Sequence, residues 1–151
     1  MNKYFFAYGT NIAQSELDKH CPGAILLGYG MLNNYMLEFR GYSEHAIAHI
    51  TKKKGEVIPV TIWELPPESK YTIENYEKFP YIYKKQKVKA IMNGTKIKGI
   101  IYLTKQDLPQ GMPSEEYLNT LREAYIQADF DEYYINSALE RLKNSEEQIW
   151  K

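Results

Sequence analysis

The residues best suited to chemistry follow an apolar run near the N-terminus. Tyr4 to Tyr8 are all aromatic or apolar, without recurrence at helical spacing, which predicts a short buried strand. The run stops at Gly9-Thr10-Asn11, where glycine allows close approach of another group and Asn11 is a suitable N-cap for a helix over 13–17. A strand that ends in free N–H groups at the start of a helix can bind an anion. Many such junctions bind nothing, so the turn alone does not establish a site.

The sequence pattern alone singles out none of the 19 acidic side chains, and Glu77, in a polar stretch ahead of Pro80, is one of them. A carboxylate whose pKa is raised by burial can act as a general base and then as a general acid. A glutamate in a short polar helix is nearly always solvated, however. Without further information the sequence favours a solvated side chain at this position.

The three histidines and the single cysteine do not form a metal-binding motif. Two of them, His45 and His49, would share one face of a strand, where paired surface histidines are more common than metal ligands. The spacing of the whole set fits no metal pattern. We therefore expect no metal site among them. The set is His20, Cys21, His45 and His49.

Length and charge limit the class of protein. The 151 residues suit one domain spanning positions 1–151, and 19 basic against 19 acidic side chains argue against a general nucleic-acid binder. One cysteine excludes an internal disulfide, and no apolar run approaches the ~18 residues that span a bilayer. With no basic and apolar leader at its start, the chain is expected to be cytoplasmic, with neither nucleic acid nor membrane as a partner. The oligomeric state is not indicated.

The elements that must position these groups are mostly strands. Paired glycines around Tyr29 indicate a bulge or a bend in a curled sheet, and Pro59 indicates an edge position or a bulge. Asn93-Gly94 is a strong hairpin signal. A polar turn is predicted over 52–56. Besides the first run, strands are predicted over 24–27, 31–39, 45–50, 57–65, 83–92 and 96–104.

Helices are predicted in the middle and at the end of the chain. A short one is predicted over 69–78, halted before Pro80, and Ser114 begins a longer amphipathic one with acidic residues in its first turn. Asp129 and Glu132 resemble a capping box for a last helix. Six or seven strands, one embedded helix and a C-terminal helical pair predict an α+β fold with a curled, mostly antiparallel sheet.

Four segments resemble the γ-glutamyl cyclotransferase-like family. Tyr4 to Asn11 is similar to its "YFAYGSN" signature, with Thr10 where serine is usual, and Gly28 to Phe39 is similar to its "gyrL…F" strand. Ile73 to Tyr83 is similar to its "LDxxEGxPxxY" segment, and Pro113 to Tyr117 is similar to the start of its "PSxxY" helix. Together these segments cover about residues 3 to 135. The resemblance implies a small mixed β-barrel-like sheet flanked by helices, with a cavity at one mouth.

The resemblance also implies a reaction. The α-amine of a γ-glutamyl group attacks its own γ-carbonyl carbon, 5-oxoproline closes, and an amine leaves without help from a cofactor. The family's catalytic carboxylate corresponds to Glu77, and the amides of Gly9, Thr10 and Asn11 would hold the substrate α-carboxylate. Tyr8 could line the same pocket.

Other positions leave alternatives open. Lys78 stands where the family has glycine, and it could lower the pKa of Glu77 or point to solvent. Tyr117 falls at the family's tyrosine position, but helical core packing explains it and Tyr125 equally well. The sequence thus predicts a cyclotransferase acting on a small γ-glutamyl amine or γ-glutamyl amino acid. The alternative is a non-catalytic protein that holds a small anionic ligand in the same pocket.

Overall fold

The structure, a computed structural model, describes residues 4–67, 83–104 and 107–149. Five strands and three α-helices account for most of these residues, and a 3₁₀ turn at Thr10–Ile12 follows the first strand. The strands are β1 (Tyr4–Ala7), β2 (Ile25–Arg40), β3 (Ile47–Glu64), β4 (Tyr83–Met92) and β5 (Thr95–Thr104). The helices are α1 (Gln14–Leu17), α2 (Glu115–Gln127) and α3 (Tyr133–Ile149). The α+β class and the C-terminal helical pair are confirmed.

The five strands form a closed barrel in the order β1-β3-β2-β4-β5. Phe5 of β1 lies opposite Ile100 of β5 in a parallel pair, and the other strand pairs of the barrel are antiparallel. The predicted mixed, mostly antiparallel and curled sheet is therefore confirmed. Its interior is filled by apolar side chains, among them Phe6, Ile62 and Ala90, all without solvent exposure.

The polar turn predicted over 52–56 is wrong. On β2, Asn33 pairs with Val57 and Tyr35 pairs with Lys52. Residues 53–56 therefore stay within β3 and form a bulge opposite Asn34. The Oδ1 of Asn34 accepts a hydrogen bond from the N–H of Gly55 at 3.1 Å. Polar, exposed side chains tolerate this bulge, and strand pairing continues on both sides of it.

Four of the predicted strands merge into two. Those predicted over 24–27 and 31–39 form β2, and those predicted over 45–50 and 57–65 form β3. The chain reverses between β2 and β3, at 41–46.

Local signals elsewhere in the sheet are confirmed. A register shift between Leu26 and Gly28 marks the predicted bulge near Tyr29. Pro59 pairs with Met31 of β2, whereas β1 pairs only with residues 61–64 of β3, so Pro59 occupies an edge position. Asn93 and Gly94 turn between β4 and β5 with φ angles of 51° and 80°, as a type I′ hairpin requires.

The helix ends give one success and two corrections. Ser114 caps α2, since its Oγ accepts a hydrogen bond from the N–H of Tyr117 at 3.1 Å. Asn11 is not an N-cap, because it lies in the 3₁₀ turn and α1 begins after Ala13. The capping box predicted for Asp129 and Glu132 at the start of the last helix is also wrong. Asp129, at φ 58°, ends α2, with the N–H of Phe130 bonded to the carbonyl of Tyr125, and Asp131 caps α3.

The helical pair packs against the barrel near β2. The ring of Tyr29 meets that of Phe130 edge to face at 5.8 Å, and Phe130 meets Tyr125 at 5.5 Å. Arg141 of α3 donates a hydrogen bond to the carbonyl of Leu37 at 2.7 Å. None of the helices in the described ranges is long and apolar enough to cross a membrane.

Candidate functional site around the Gly9 turn

The predicted anion-binding turn lies where β1 leaves the barrel. The N–H of Ile12 donates to the carbonyl of Gly9 at 3.0 Å, and the N–H of Ala13 donates to the carbonyl of Thr10 at 3.1 Å, so both carbonyls are engaged. Tyr8, Gly9, Thr10 and Asn11 are each partly exposed, between a buried β1 and a buried Ile12. The turn is therefore anchored to the core on both sides and accessible in its middle.

Within residues 4–67, 83–104 and 107–149, the amides of this turn have no acceptor. Across the described ranges, no hydrogen bond uses the N–H of Gly9, Thr10 or Asn11 as its donor. These three consecutive donors at a partly exposed turn are the arrangement that binds carboxylate and phosphate oxygens elsewhere.

Tyr117 reaches the same turn from the opposite end of the chain. Its hydroxyl accepts a hydrogen bond from the backbone N–H of Ala48 at 2.9 Å. A Cβ placed on Gly9 would lie 3.6 Å from that hydroxyl and 3.5 Å from the Cβ of Ala48. Tyr117 is thus more than a core residue of α2, because its polar end forms one wall of the turn. Only its place in the late family motif distinguished it in the sequence.

Tyr8 contacts the barrel as well as bordering the turn. Its hydroxyl donates to the backbone carbonyl of Tyr102 at 2.7 Å, which ties the end of β1 to β5. The ring is only partly buried. The predicted role of Tyr8 in lining a pocket stays a prediction.

The predicted catalytic residue is not among those that the structure describes. Glu77, together with Lys78 and the helix predicted over 69–78, lies in the range 68–82, outside the described residues. The distance from its carboxylate to the Gly9 turn is therefore a prediction of the sequence resemblance alone.

An ionic cluster lies on the β2–β3 hairpin, on the face of the strands opposite to that of Ala48. Arg40 donates from Nε and Nη2 to the two carboxylate oxygens of Glu38, and His49 Nδ1 lies 3.2 Å from Oε1. Burial alone would raise the pKa of Glu38, but the hydrogen bonds from His49 and Arg40 and the charge of Arg40 outweigh it and lower that pKa. Glu38 is therefore ionised although it is only 6% exposed.

The sequence interpretation missed this cluster. Glu38 and Arg40 are two residues apart on one strand, so they share a face, and the hairpin register places His49 opposite Glu38. The sequence shows the alternation that puts Glu38 and Arg40 on one face of a strand, but it does not show that His49 lies opposite them on the next strand. Ala48, next to His49, faces the opposite way and offers its Cβ to the Gly9 turn.

The cluster holds a loop against the end of β2. Arg40 Nη1 donates a hydrogen bond to the carbonyl of Leu108 at 2.6 Å. The N–H of Gly41 donates to the carbonyl of Pro109, and the N–H of Gly111 donates to the carbonyl of Phe39. A cavity of about 740 Å³ lies between this loop and the hairpin tip. Its lining residues come from 41–44 and 109–115.

The histidines and the cysteine lie in different parts of the described structure. His45 lies at the hairpin tip, opposite Pro113, while His49 contacts Glu38 and Cys21 is buried. No group of three or more potential ligands from His, Cys, Asp and Glu occurs in the described ranges.

Solved structures with the same fold include cyclotransferases. A structure named γ-glutamyl cyclotransferase superposes with a TM-score of 0.81 at 20% identity, over 95% of this chain and 87% of the other. An uncharacterised human protein gives 0.80 at 21% identity, over 94% and 86%. A yeast γ-glutamyl cyclotransferase specific to glutathione gives 0.61 at 12% identity, over 95% and 96%. At these identities the likeness establishes the fold.

Sequence comparison establishes the family. No curated protein sequence matches the chain. A model of the AIG2-like family, however, matches residues 57–138, more than half of the chain. The resemblance deduced from the sequence motifs is thereby confirmed, and the chain belongs to the AIG2-like family, which shares the γ-glutamyl cyclotransferase-like fold.

Proposed function

We propose that this protein is a γ-glutamyl cyclotransferase, an acyl-transfer enzyme that converts the γ-glutamyl group of a small γ-glutamyl amine or amino acid into 5-oxoproline. The observation that carries the proposal is the row of three amide donors at Gly9, Thr10 and Asn11, which have no acceptor within the described residues. Membership of the AIG2-like family and the fold shared with named cyclotransferases support it.

In the proposed complex the three amides bind the substrate α-carboxylate. This contact places the neighbouring α-amine and leaves the γ-glutamyl chain free to fold back on itself. Tyr8 and the hydroxyl end of Tyr117 border the same space. The amine and the γ-carbonyl already belong to one molecule, so the site lowers the barrier by holding the chain in the folded conformation from which the amine can attack.

Glu77 moves the proton in this mechanism. It takes a proton from the attacking α-amine while the new C–N bond closes the five-membered lactam. The bond from the γ-carbonyl carbon to the leaving nitrogen then breaks, and Glu77 returns the proton to that nitrogen. The proton is conserved and no oxidant or cofactor takes part. A single carboxylate can serve in both steps if burial raises its pKa.

The first test is a screen of γ-glutamyl amino acids, γ-glutamyl amines and glutathione for release of 5-oxoproline, measured by chromatography. We expect turnover of at least one class. A wild-type protein that binds these compounds without turning over any of them would instead be the non-catalytic ligand-binding protein that the sequence left as an alternative.

The second test is Glu77→Gln, which keeps the shape of the side chain and removes the proton carrier. We expect kcat to fall about a hundredfold or more, because general acid–base catalysis is lost. Ligand affinity should persist, since the carboxylate contact belongs to the Gly9 turn. Glu74→Gln makes the same chemical change at the glutamate three residues earlier in the sequence and serves as the matched control. Equal turnover of Glu77→Gln and wild type would assign the proton transfer to another group.

A further inference from the structure

The charge of this electrically neutral chain is unevenly distributed. Residues 83–104, the β4–β5 hairpin, contain six lysines and no acidic residue. Residues 107–149, which carry the helical pair, contain ten acidic and three basic residues. The net charge of zero therefore hides a basic hairpin and an acidic helical region. The proposed cyclotransferase reaction uses neither.

Four of these lysines share the outer face of the barrel. Lys89 pairs directly with Lys98, Lys96 pairs with Ile91, and Lys87 pairs with Ile100. The alternate residues point inward, as shown by Gly99, where a Cβ would meet the ring of Phe6. Like charges directly opposite each other on a strand pair destabilise it. Within the described residues, no carboxylate lies at ion-pair distance from Lys87, Lys89, Lys96 or Lys98.

Exposed apolar side chains adjoin this basic face on the neighbouring strand. Met31 of β2 pairs with Ile91, which in turn pairs with Lys96, so these three side chains form one row. Two residues earlier Tyr29 lies on the same face and is 48% exposed. The run continues back through Leu27, Leu26 and Ile25, which are 40%, 37% and 57% exposed.

We propose that the outer face of the β4–β5 hairpin, together with the exposed start of β2, binds the surface of an anionic phospholipid membrane. Lysines near such a surface gain electrostatic attraction, and apolar side chains beside them enter the boundary between headgroups and acyl chains. The sequence argument against a membrane partner concerned segments that span the bilayer. A protein that binds one leaflet from outside needs no such segment.

A nucleic acid is the other polyanion that a basic face could bind, and the structure favours it less. Residues 83–104 contain no arginine, the side chain that contacts phosphates and base edges with paired hydrogen bonds. A nucleic-acid backbone would also leave Leu26 and Tyr29 in water. A lipid interface accounts for both the lysines and the apolar residues.

The test measures binding of the full chain to vesicles by co-sedimentation. Vesicles of phosphatidylcholine with a third phosphatidylglycerol are compared with pure phosphatidylcholine. The variant K89Q/K98Q removes the directly opposed pair, and K19Q/K143Q makes the same charge change elsewhere. We expect K89Q/K98Q to weaken partitioning about thirtyfold, since each lysine near an anionic surface contributes about fivefold. The control should retain most of the wild-type binding.

A second variant separates lipid from other partners. L26T/L27T keeps the charges and removes exposed apolar side chains, so it should weaken binding to anionic vesicles and leave binding to an RNA oligomer unchanged. Equal binding to neutral and anionic vesicles, absence of vesicle binding, or equal loss in both double-lysine variants would overturn the proposal. So would tighter binding to RNA than to vesicles, which would identify a nucleic acid as the partner. A dimer that K89Q/K98Q dissociates, seen by ultracentrifugation, would identify the acidic helices of a second copy.

Discussion

At the scale of single residues, the Gly9 turn gathers atoms from three distant parts of the chain. Gly9 follows the first strand, Ala48 belongs to β3, and Tyr117 lies in α2. The hydroxyl of Tyr117 connects α2 with β3, because it accepts a hydrogen bond from the N–H of Ala48, next to Gly9. One side chain thus links the helical pair to the barrel at the place where the substrate carboxylate is proposed to bind.

Tyr117→Phe tests this link. The variant leaves the N–H of Ala48 without its acceptor, in a residue that is only 7% exposed. An unsatisfied buried donor costs about 1–3 kcal/mol, so the free energy of unfolding in urea should fall by about that amount. Tyr133→Phe removes a hydroxyl from a side chain that is 62% exposed and should change nothing. Equal stability of Tyr117→Phe and wild type would show that water replaces the hydroxyl.

Lys78→Gly tests the main departure from the family pattern. If Lys78 lies beside Glu77, its cation lowers the pKa of that carboxylate and weakens it as a base. Removing the cation should raise kcat at neutral pH and move the acidic limb of the kcat–pH profile to higher pH. An unchanged profile would mean that Lys78 points to solvent. The readout is the rate of 5-oxoproline release measured across pH.

At the scale of elements, the β2–β3 hairpin organises the surroundings of the turn. Its core face supplies Ala48, and its opposite face carries Glu38, Arg40 and His49. Through Arg40 the same hairpin holds the loop that contains Leu108. A single pair of strands therefore contacts the turn through Ala48 and leads into one wall of the cavity lined by 41–44 and 109–115.

Glu38→Gln should show how this cluster depends on pH. The pKa of Glu38 is lower in the folded state than in the unfolded chain, so its stabilisation is complete above the unfolded value of about 4.3 and is lost as pH falls through the folded value. At pH 7 the variant should lose about 2 kcal/mol of unfolding free energy. The gap to wild type should narrow at pH 4 and below. Glu44→Gln, an exposed glutamate at the hairpin tip, is the control.

At the scale of the whole molecule, closure of the barrel depends on contacts across its interior. Gly99 of β5 faces the ring of Phe6 of β1, and an added Cβ would overlap that ring. Both residues belong to the strand pair that closes the barrel. Small and large side chains thus alternate across the barrel where β1 meets β5.

Gly99→Ala should therefore destabilise the fold. Overpacking a dense core costs about 1–3 kcal/mol, measurable as a lower midpoint of urea unfolding. The double variant Phe6→Leu, Gly99→Ala should recover part of the loss, because leucine makes room for the new methyl group. Additive effects of the two changes, as expected of residues that do not touch, would contradict the contact.

What the sequence determined by itself was local. The Asn93-Gly94 hairpin, the cap at Ser114, the bulge before Tyr29 and the edge position of Pro59 depend on neighbouring residues, and all were predicted correctly. The order of the predicted strands and helices indicated the curled sheet and the helical pair, and the family resemblance implied the barrel-like closure of that sheet. The tertiary structure alone decided which strands pair and in what register. Barrel closure merged the predicted strands into β2 and β3, turned residues 53–56 into a bulge, and placed His49 beside Glu38 and Tyr117 beside Gly9. These contacts join residues far apart in the chain, and the pairing of such residues is selected by the packing of the whole barrel rather than by any short stretch of sequence.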